Sequence, residues 1–149
     1  MIDLSNNLVR QVGLLYRYMM RAIDQELSSM NIGSGRFSYL FMLYIQEGIT
    51  QQEMADRLQS DKAAVARTLA QMEKHGYVTR KQDANDRRIT RVYLTEKSRQ
   101  LRPQLEKGVD SVIQHMQSGL SSTETSIANQ SLSSMLKSLD EHYHVAKKK

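Results

Sequence analysis

The chain has 149 residues, 40% hydrophobic and 25% charged, a balance that suits one folded domain or protomer and excludes wholesale disorder. It holds no cysteine, which excludes disulfides, thiolate zinc sites and sensing through sulfenic acid, and no apolar run nears the roughly 20 residues that cross a bilayer. The net charge of +5 is concentrated: residues 62–102 carry 11 Lys/Arg against 4 Asp/Glu, leaving 10 against 12 elsewhere, which fits a polyanion-binding face or a plain solvated basic surface.

In chain order, MIDLSNNLVRQ lacks the basic flank and apolar core of a secretory signal, so a cytoplasmic location is the expectation. Leu8, Val12, Leu15, Met19, Ile23 and Leu27 recur at spacings of three and four, which predicts a long helix with one apolar stripe. Gly33 and Gly35 should break it. Phe37, Leu40, Met42, Leu43 and Ile45 then predict a second, largely buried helix stopped by Gly48. Thr50-Gln51-Gln52-Glu53 is a capping box that opens a short helix with Met54, Ala55 and Leu58 inward. Ser60 or Asp61 caps the next helix, which runs to about His75 and ends at Gly76. Val65, Leu69 and Met72 share its inner face, while Ala63, Arg67, Ala70 and Gln71 share the outer one.

Residues 77–81 and 89–94 alternate and carry β-branched and aromatic side chains, so they read as a hairpin. Its loop spends about seven residues where two would do, and fills them with charge that includes the adjacent Arg87 and Arg88. Thr95 caps a long helix with Leu101, Leu105, Val109, Val112 and Met116 in register. Pro103 lies inside that helix and is expected to bend it, and Gly119 ends it. Ser121 to Glu124 repeat the capping box and open a last helix bearing Ile127, Leu132, Met135, Leu136 and Leu139, before the tail HVAKKK.

A short helix, a tight turn, a longer helix and a charged hairpin form a winged helix-turn-helix pattern. The expected fold is therefore mainly α with a small β-hairpin wing: a winged helix-turn-helix with six helices. The major groove of B-DNA admits one helix, and the helix over 61–75 offers it small residues. Lys62, Ala63, Ala64, Arg67 and Gln71 are its candidate contacts, with Lys62 near the helix start where the dipole also favours phosphate. Thr50 and Gln51 are candidates for phosphate at the preceding helix start. At the wing, Asp86 lies two residues before Arg88 and can pin its guanidinium, aiming Arg88, with Arg87 beside it, at a narrow minor groove. The competing reading is an ordinary exposed helix, since alanine is simply the best helix former.

Residues 48–94, above all LQSDKAAVARTLAQMEKHGYVTRKQDANDRRITRVYLT, resemble the MarR (multiple antibiotic resistance regulator) family, with the wing's D-x-R standing here as Asp86-Arg87-Arg88. The flanks fit as well: long terminal helices and LSSTE opening the last one. The resemblance implies a homodimer whose helices over 1–32 and 96–144 interlock, a DNA-binding domain over 36–95 and a basic tail over 145–149. It also implies a pseudo-palindromic double-stranded DNA operator, usually repressed, and release by a small-molecule inducer. Packing of the two apolar ends on each other within a monomer is the alternative to a dimer.

Two departures stand out. Ala63 and Ala64 replace the Ser or Thr common in the family near the recognition-helix start, which shifts load onto Lys62 and Arg67. The cysteine near the N-terminus that thiol-sensing members need is absent, although nine methionines leave sulfoxide chemistry open. Tyr16, Met19, Met20 and Tyr39 are candidates to line an inducer crevice; a plain core stripe is the other reading. His142-Tyr143-His144 raises a zinc-responsive alternative, but residues two apart do not share a helix face, so no metal site is assigned. A ligand-independent DNA-binding protein is the further alternative. No catalytic constellation or cofactor motif is present, and no membrane partner is expected.

Overall fold

A computed structural model describes residues 7–144; the expected basic tail over 145–149, residues 1–6, and the side chains of Ser34 and His144 lie outside the described part. The described residues form α1 (Leu8–Glu26), α2 (Ser34–Ile45), α3 (Gln51–Arg57), α4 (Lys62–Lys74), β1 (Val78–Gln82), β2 (Thr90–Leu94), α5 (Glu96–Gln117) and α6 (Ser122–His144). A 3-10 turn, Ser28–Met30, lies between α1 and α2. This is the winged helix-turn-helix architecture, mainly α with one hairpin. The chain divides into two compact units, residues 1–112 and 113–149.

In the first unit the stripe of α1 changes role along its length. Ile23 and, just past the helix, Leu27 are buried, and Met19 packs against the same core, whereas Leu8, Val12 and Leu15 stay exposed. The break after α1 needs one glycine, not two. Gly33 takes a left-handed φ of +46° as the cap of α2, but Gly35 lies inside the first turn of α2, where its amide needs no intrahelical partner. The expected inner face of α2 also needs correction. Leu40 and Leu43 are buried, but Ile45 is 83% exposed, because two residues beyond Leu43 is slightly more than half a turn around the helix.

The helix-turn-helix follows its capping chemistry. The Thr50 hydroxyl accepts from the Glu53 amide at 3.1 Å, and the Glu53 carboxylate accepts from the Thr50 amide at 2.8 Å. That backbone hydrogen bond holds the Glu53 carboxyl below the usual range. Between α3 and α4, Gln59 turns left-handed at φ +51°, and the Ser60 amide reaches back to the Ala55 carbonyl at 3.0 Å. Asp61, rather than Ser60, caps α4 by accepting from the Ala64 amide at 2.9 Å. Val65, Leu69 and Met72 then bury into a core shared with Met54, Ile49 and Leu40.

The hairpin runs antiparallel in register from Val78 opposite Leu94 to Gln82 opposite Thr90. Tyr77 and Ile89 fall outside the strands; Tyr77 is buried instead, its hydroxyl donating to the Met30 carbonyl at 3.0 Å. A third extended segment, which no alternation in the sequence marks, lies against β2. The Gly48 amide donates to the Val92 carbonyl at 2.9 Å, the Val92 amide donates to the Ile49 carbonyl at 3.0 Å, and Thr50 bridges to Arg91. Gly48 sits at φ +79°, and a Cβ there would meet Tyr93 Cε1 at 3.2 Å. Gly48→Ala is therefore expected to destabilise by about 1–2 kcal/mol, read as a lowered midpoint in denaturant unfolding.

Where α5 begins, the Thr95 hydroxyl donates to the Gly76 carbonyl at 2.7 Å, and buried Ser98 donates to the Tyr77 carbonyl at 2.6 Å. Tyr44 on α2 reaches the Ser98 carbonyl at 2.7 Å, which ties α2 and α5 to the wing's foot.

In the second unit, Ser121 and Glu124 form the expected capping box at 3.2 and 2.8 Å. Along α6, Ile127, Leu132, Leu136 and Leu139 are all exposed. No described helix is long and apolar enough to cross a membrane.

Candidate nucleic-acid interface

Helix α4 buries one face and presents the other. With Val65, Leu69 and Met72 turned inward, Lys62, Ala63, Arg67 and Gln71 are exposed, and Ala64, Ala66 and Ala70 are half-buried. The outer face is thus low in relief except at its polar side chains. Lys62 and Arg67 have no hydrogen bond or ion pair from their side chains to another described residue, and neither does Arg87 on the wing. An unpaired cation keeps its full charge for an incoming anion. A guanidinium already held by a carboxylate contributes mainly direction.

Arg88 is the directed one. Its Nε and Nη2 donate to the two Asp86 oxygens at 3.0 and 2.9 Å, and its backbone amide donates to Asp86 Oδ1 at 3.0 Å. The Arg88 side chain is nevertheless 90% exposed. The Arg88 guanidinium holds the Asp86 carboxyl below its ordinary range, and Asp86 raises Arg88 in return. A depressed carboxylate loses its partner only as pH falls through the lowered value, so the clasp is intact across the neutral range.

At the start of α3, the Thr50 oxygen and amide are both engaged by Glu53. Gln51 Oε1 accepts from Arg80 Nη1 at 3.5 Å. The Thr50 hydroxyl also hydrogen-bonds the Glu53 carboxylate, so of these two side chains the Gln51 NH2 is the donor left for an incoming anion.

Sequence reading missed the residues that join the helix to the wing. Arg80 on β1 grips Glu73 on α4 through Nε at 3.0 Å and Nη2 at 2.8 Å, and the Arg80 amide donates to the same carboxylate at 2.8 Å. Arg91 on β2 holds Asp83 at the loop's base and donates from Nη1 to the Gly48 carbonyl at 2.9 Å. Lys97 donates to the His75 carbonyl at 2.9 Å while lying 4.1 Å from the centre of the Tyr77 ring, so the C-terminal end of α4 is also held. None of these pairs has a helical or strand period, and the charge run over 62–102 was the only signal for them.

A cleft of about 790 Å³ opens on the first unit. Tyr16, Met20, Asp24 and Leu27 line it from the side of α1, with Arg36, Ser38 and Tyr39 from α2 and Thr68 from α4. Three of the four proposed crevice residues meet there. Met19 does not: it shares the stripe of Ile23, four residues on, and packs against the core, while Tyr16, Met20 and Asp24 form the neighbouring row. Arg36 has no side-chain hydrogen bond or ion pair to another described residue. Near the C-terminus, His142 meets Tyr143 edge-on at 4.7 Å; the His144 side chain lies outside the described residues.

The sequence pattern of the MarR family matches residues 32–90. A MarR transcriptional regulator from Methanosarcina mazei Go1 is 34% identical, with 88% of this chain and 94% of that one covered and a TM-score of 0.81. A putative MarR family regulator from Listeria monocytogenes, solved in complex with a 26mer DNA, shares the fold at a TM-score of 0.87 and 23% identity, covering 96% and 95% of the two chains. An uncharacterised HTH-type transcriptional regulator of Bacillus subtilis, YybA, is 23% identical over 96% of this chain and 95% of its own.

Proposed function

Because the chain belongs to the MarR family of DNA-binding transcription regulators, we propose that it acts in the cytoplasm as a homodimeric repressor on a pseudo-palindromic operator, released by a small organic anion. The observation that carries the reading is the division of cations on the first unit. Unpaired Lys62 and Arg67 stand on the exposed face of α4, and a clasped, outward Arg88 stands on the wing. α4 lies in the major groove, where Arg67 and Gln71 reach base edges and the alanines let the axis approach. Lys62 and Gln51 take phosphates, which fixes register but carries no sequence information. Arg88, aimed by Asp86 and assisted by Arg87, enters the flanking minor groove, where the potential is most negative. The Listeria protein of the same fold was solved in complex with DNA, which supports the DNA-binding part of the reading.

Dimerisation answers the apolar residues that each unit leaves in solvent: Leu8, Val12 and Leu15 on α1, and Ile127, Leu132, Leu136 and Leu139 on α6. The inducer's place is the cleft shared by Tyr16, Met20, Tyr39, Arg36 and Thr68. An occupant there touches the first helix and the DNA-reading helix at once, so it binds one arrangement of the head better than another. Arg36 supplies the charge that selects an anion.

Selection of bound sites from random duplexes tests the reading. Two inverted half-sites about 10 base pairs apart are expected. Recovery of no common motif at low salt would overturn it. Repeating the selection with a panel of aromatic acids identifies the inducer class through loss of recovered DNA.

A further inference from the structure

We propose that Asp83 and Arg91 are positioning residues for the wing, fixing where Arg88 is presented relative to the DNA-reading helix; the inference rests on the DNA-binding reading above. Arg88 is oriented by Asp86, so the question is what orients Asp86. Asp83 Oδ1 accepts from the Asn85 amide at 2.9 Å and from the Asp86 amide at 3.1 Å, which holds the loop's turn. The Asp83 amide donates to the Ile89 carbonyl at 2.9 Å, and the Ile89 amide donates to the Asp86 carbonyl at 3.0 Å, which closes the loop's base. The other Asp83 oxygen is taken by Arg91 Nε. Arg91 then spends Nη1 on the Gly48 carbonyl at 2.9 Å, in the segment that leads into α3.

One guanidinium thus joins the body of the helix-turn-helix to the carboxylate that organises the wing's tip. The order of contacts runs from Gly48 through Arg91 to Asp83, then to the Asp86 amide, and through the Asp86 carboxylate to Arg88. Arg91 suits this place because its planar fork can serve two acceptors in different directions, which a lysine ammonium on one flexible stem does poorly. The pairing also holds the Asp83 carboxyl below its ordinary range and raises Arg91.

The test exploits a difference in sign. Asp83→Asn removes a negative charge from a surface that meets a polyanion, so electrostatics alone makes DNA binding tighter. It keeps the side-chain oxygen that caps the turn and loses the charged hold on Arg91. If Asp83 positions the wing, affinity for a selected duplex in fluorescence anisotropy falls about three- to tenfold at matched salt, and Arg91→Lys falls by a similar factor. In an Arg88→Ala background both losses shrink to less than about twofold, because the guanidinium that the Asp83–Asp86 chain positions is gone. Thermal melting of each variant verifies the fold, and the two substitutions, on opposite sides of the pair, serve as independent probes. Tighter or unchanged binding by Asp83→Asn overturns the proposal. So does a loss that persists undiminished without Arg88, which would make Arg91 a direct phosphate contact. If Arg88→Ala itself leaves affinity unchanged, the wing's role in DNA binding fails and this inference with it; a loss from Arg88→Ala without one from Asp83→Asn sinks the inference alone.

Discussion

Leu136→Glu is expected to leave the chain folded but without dimers in sedimentation equilibrium, and to lower affinity for a two-half-site operator about a hundredfold or more. Leu136 is 69% exposed on its own chain, so a carboxylate there meets water and disturbs little in the monomer. Across a partner's apolar face the same carboxylate would be buried without a counter-charge, at a cost of several kcal/mol. Leu15→Glu on α1, at a position 47% exposed, repeats the test from the first unit. The DNA effect follows from linkage: with two heads joined, the second half-site is engaged at high effective concentration, and a monomer loses that term entirely. Dimers that persist in both variants would show that these stripes face something other than a second copy. Monomers that keep full operator affinity would show that one head suffices.

Elements whose apolar positions repeat are legible in the sequence alone. The stripe from Leu8 to Leu27, the capping boxes at Thr50 and Ser121, and the hairpin with its seven-residue loop all appear close to where the spacing puts them. The Asp86–Arg88 clasp was legible too, because it closes within three residues. Errors arose where the pattern underdetermines direction. Ile45 belongs to an apolar run but points away from the core. Met19 and Met20 are chemically identical and adjacent, yet one joins the core and the other lines the cleft. Contacts made by folding rather than by spacing were beyond reach. Glu73 and Arg80 are seven apart across a change from helix to strand, and Arg91 meets Gly48 forty-three positions away. Such pairs set the angle between wing and helix, and a one-dimensional pattern carries no angle. The candidate site was therefore legible as a set of cations on α4 and the wing, and illegible as a rigid frame.

That frame matters for the prediction on sequence preference. Arg67→Ala is expected to cost about 1–3 kcal/mol in binding to the preferred half-site, and roughly twice that for a symmetric operator read by both protomers. The loss should carry little change in folding stability. Arg67 is exposed, its side chain makes no hydrogen bond or ion pair to another described residue, and alanine favours the helix at least as well as arginine does. α4 itself stays in place, since Leu69 and Met72 remain buried and Arg80 still grips Glu73. What changes is discrimination: bound sites selected with the variant should lose preference at one position in each half-site, symmetrically about the dyad. Arg88→Ala should behave differently, weakening all duplexes by a similar factor while leaving the recovered motif in place, because a minor-groove cation reads width and potential more than base identity. An unchanged motif from Arg67→Ala, with affinity reduced evenly across sequences, would demote Arg67 to a phosphate contact and leave Gln71 as the polar side chain on this face of α4 able to read a base.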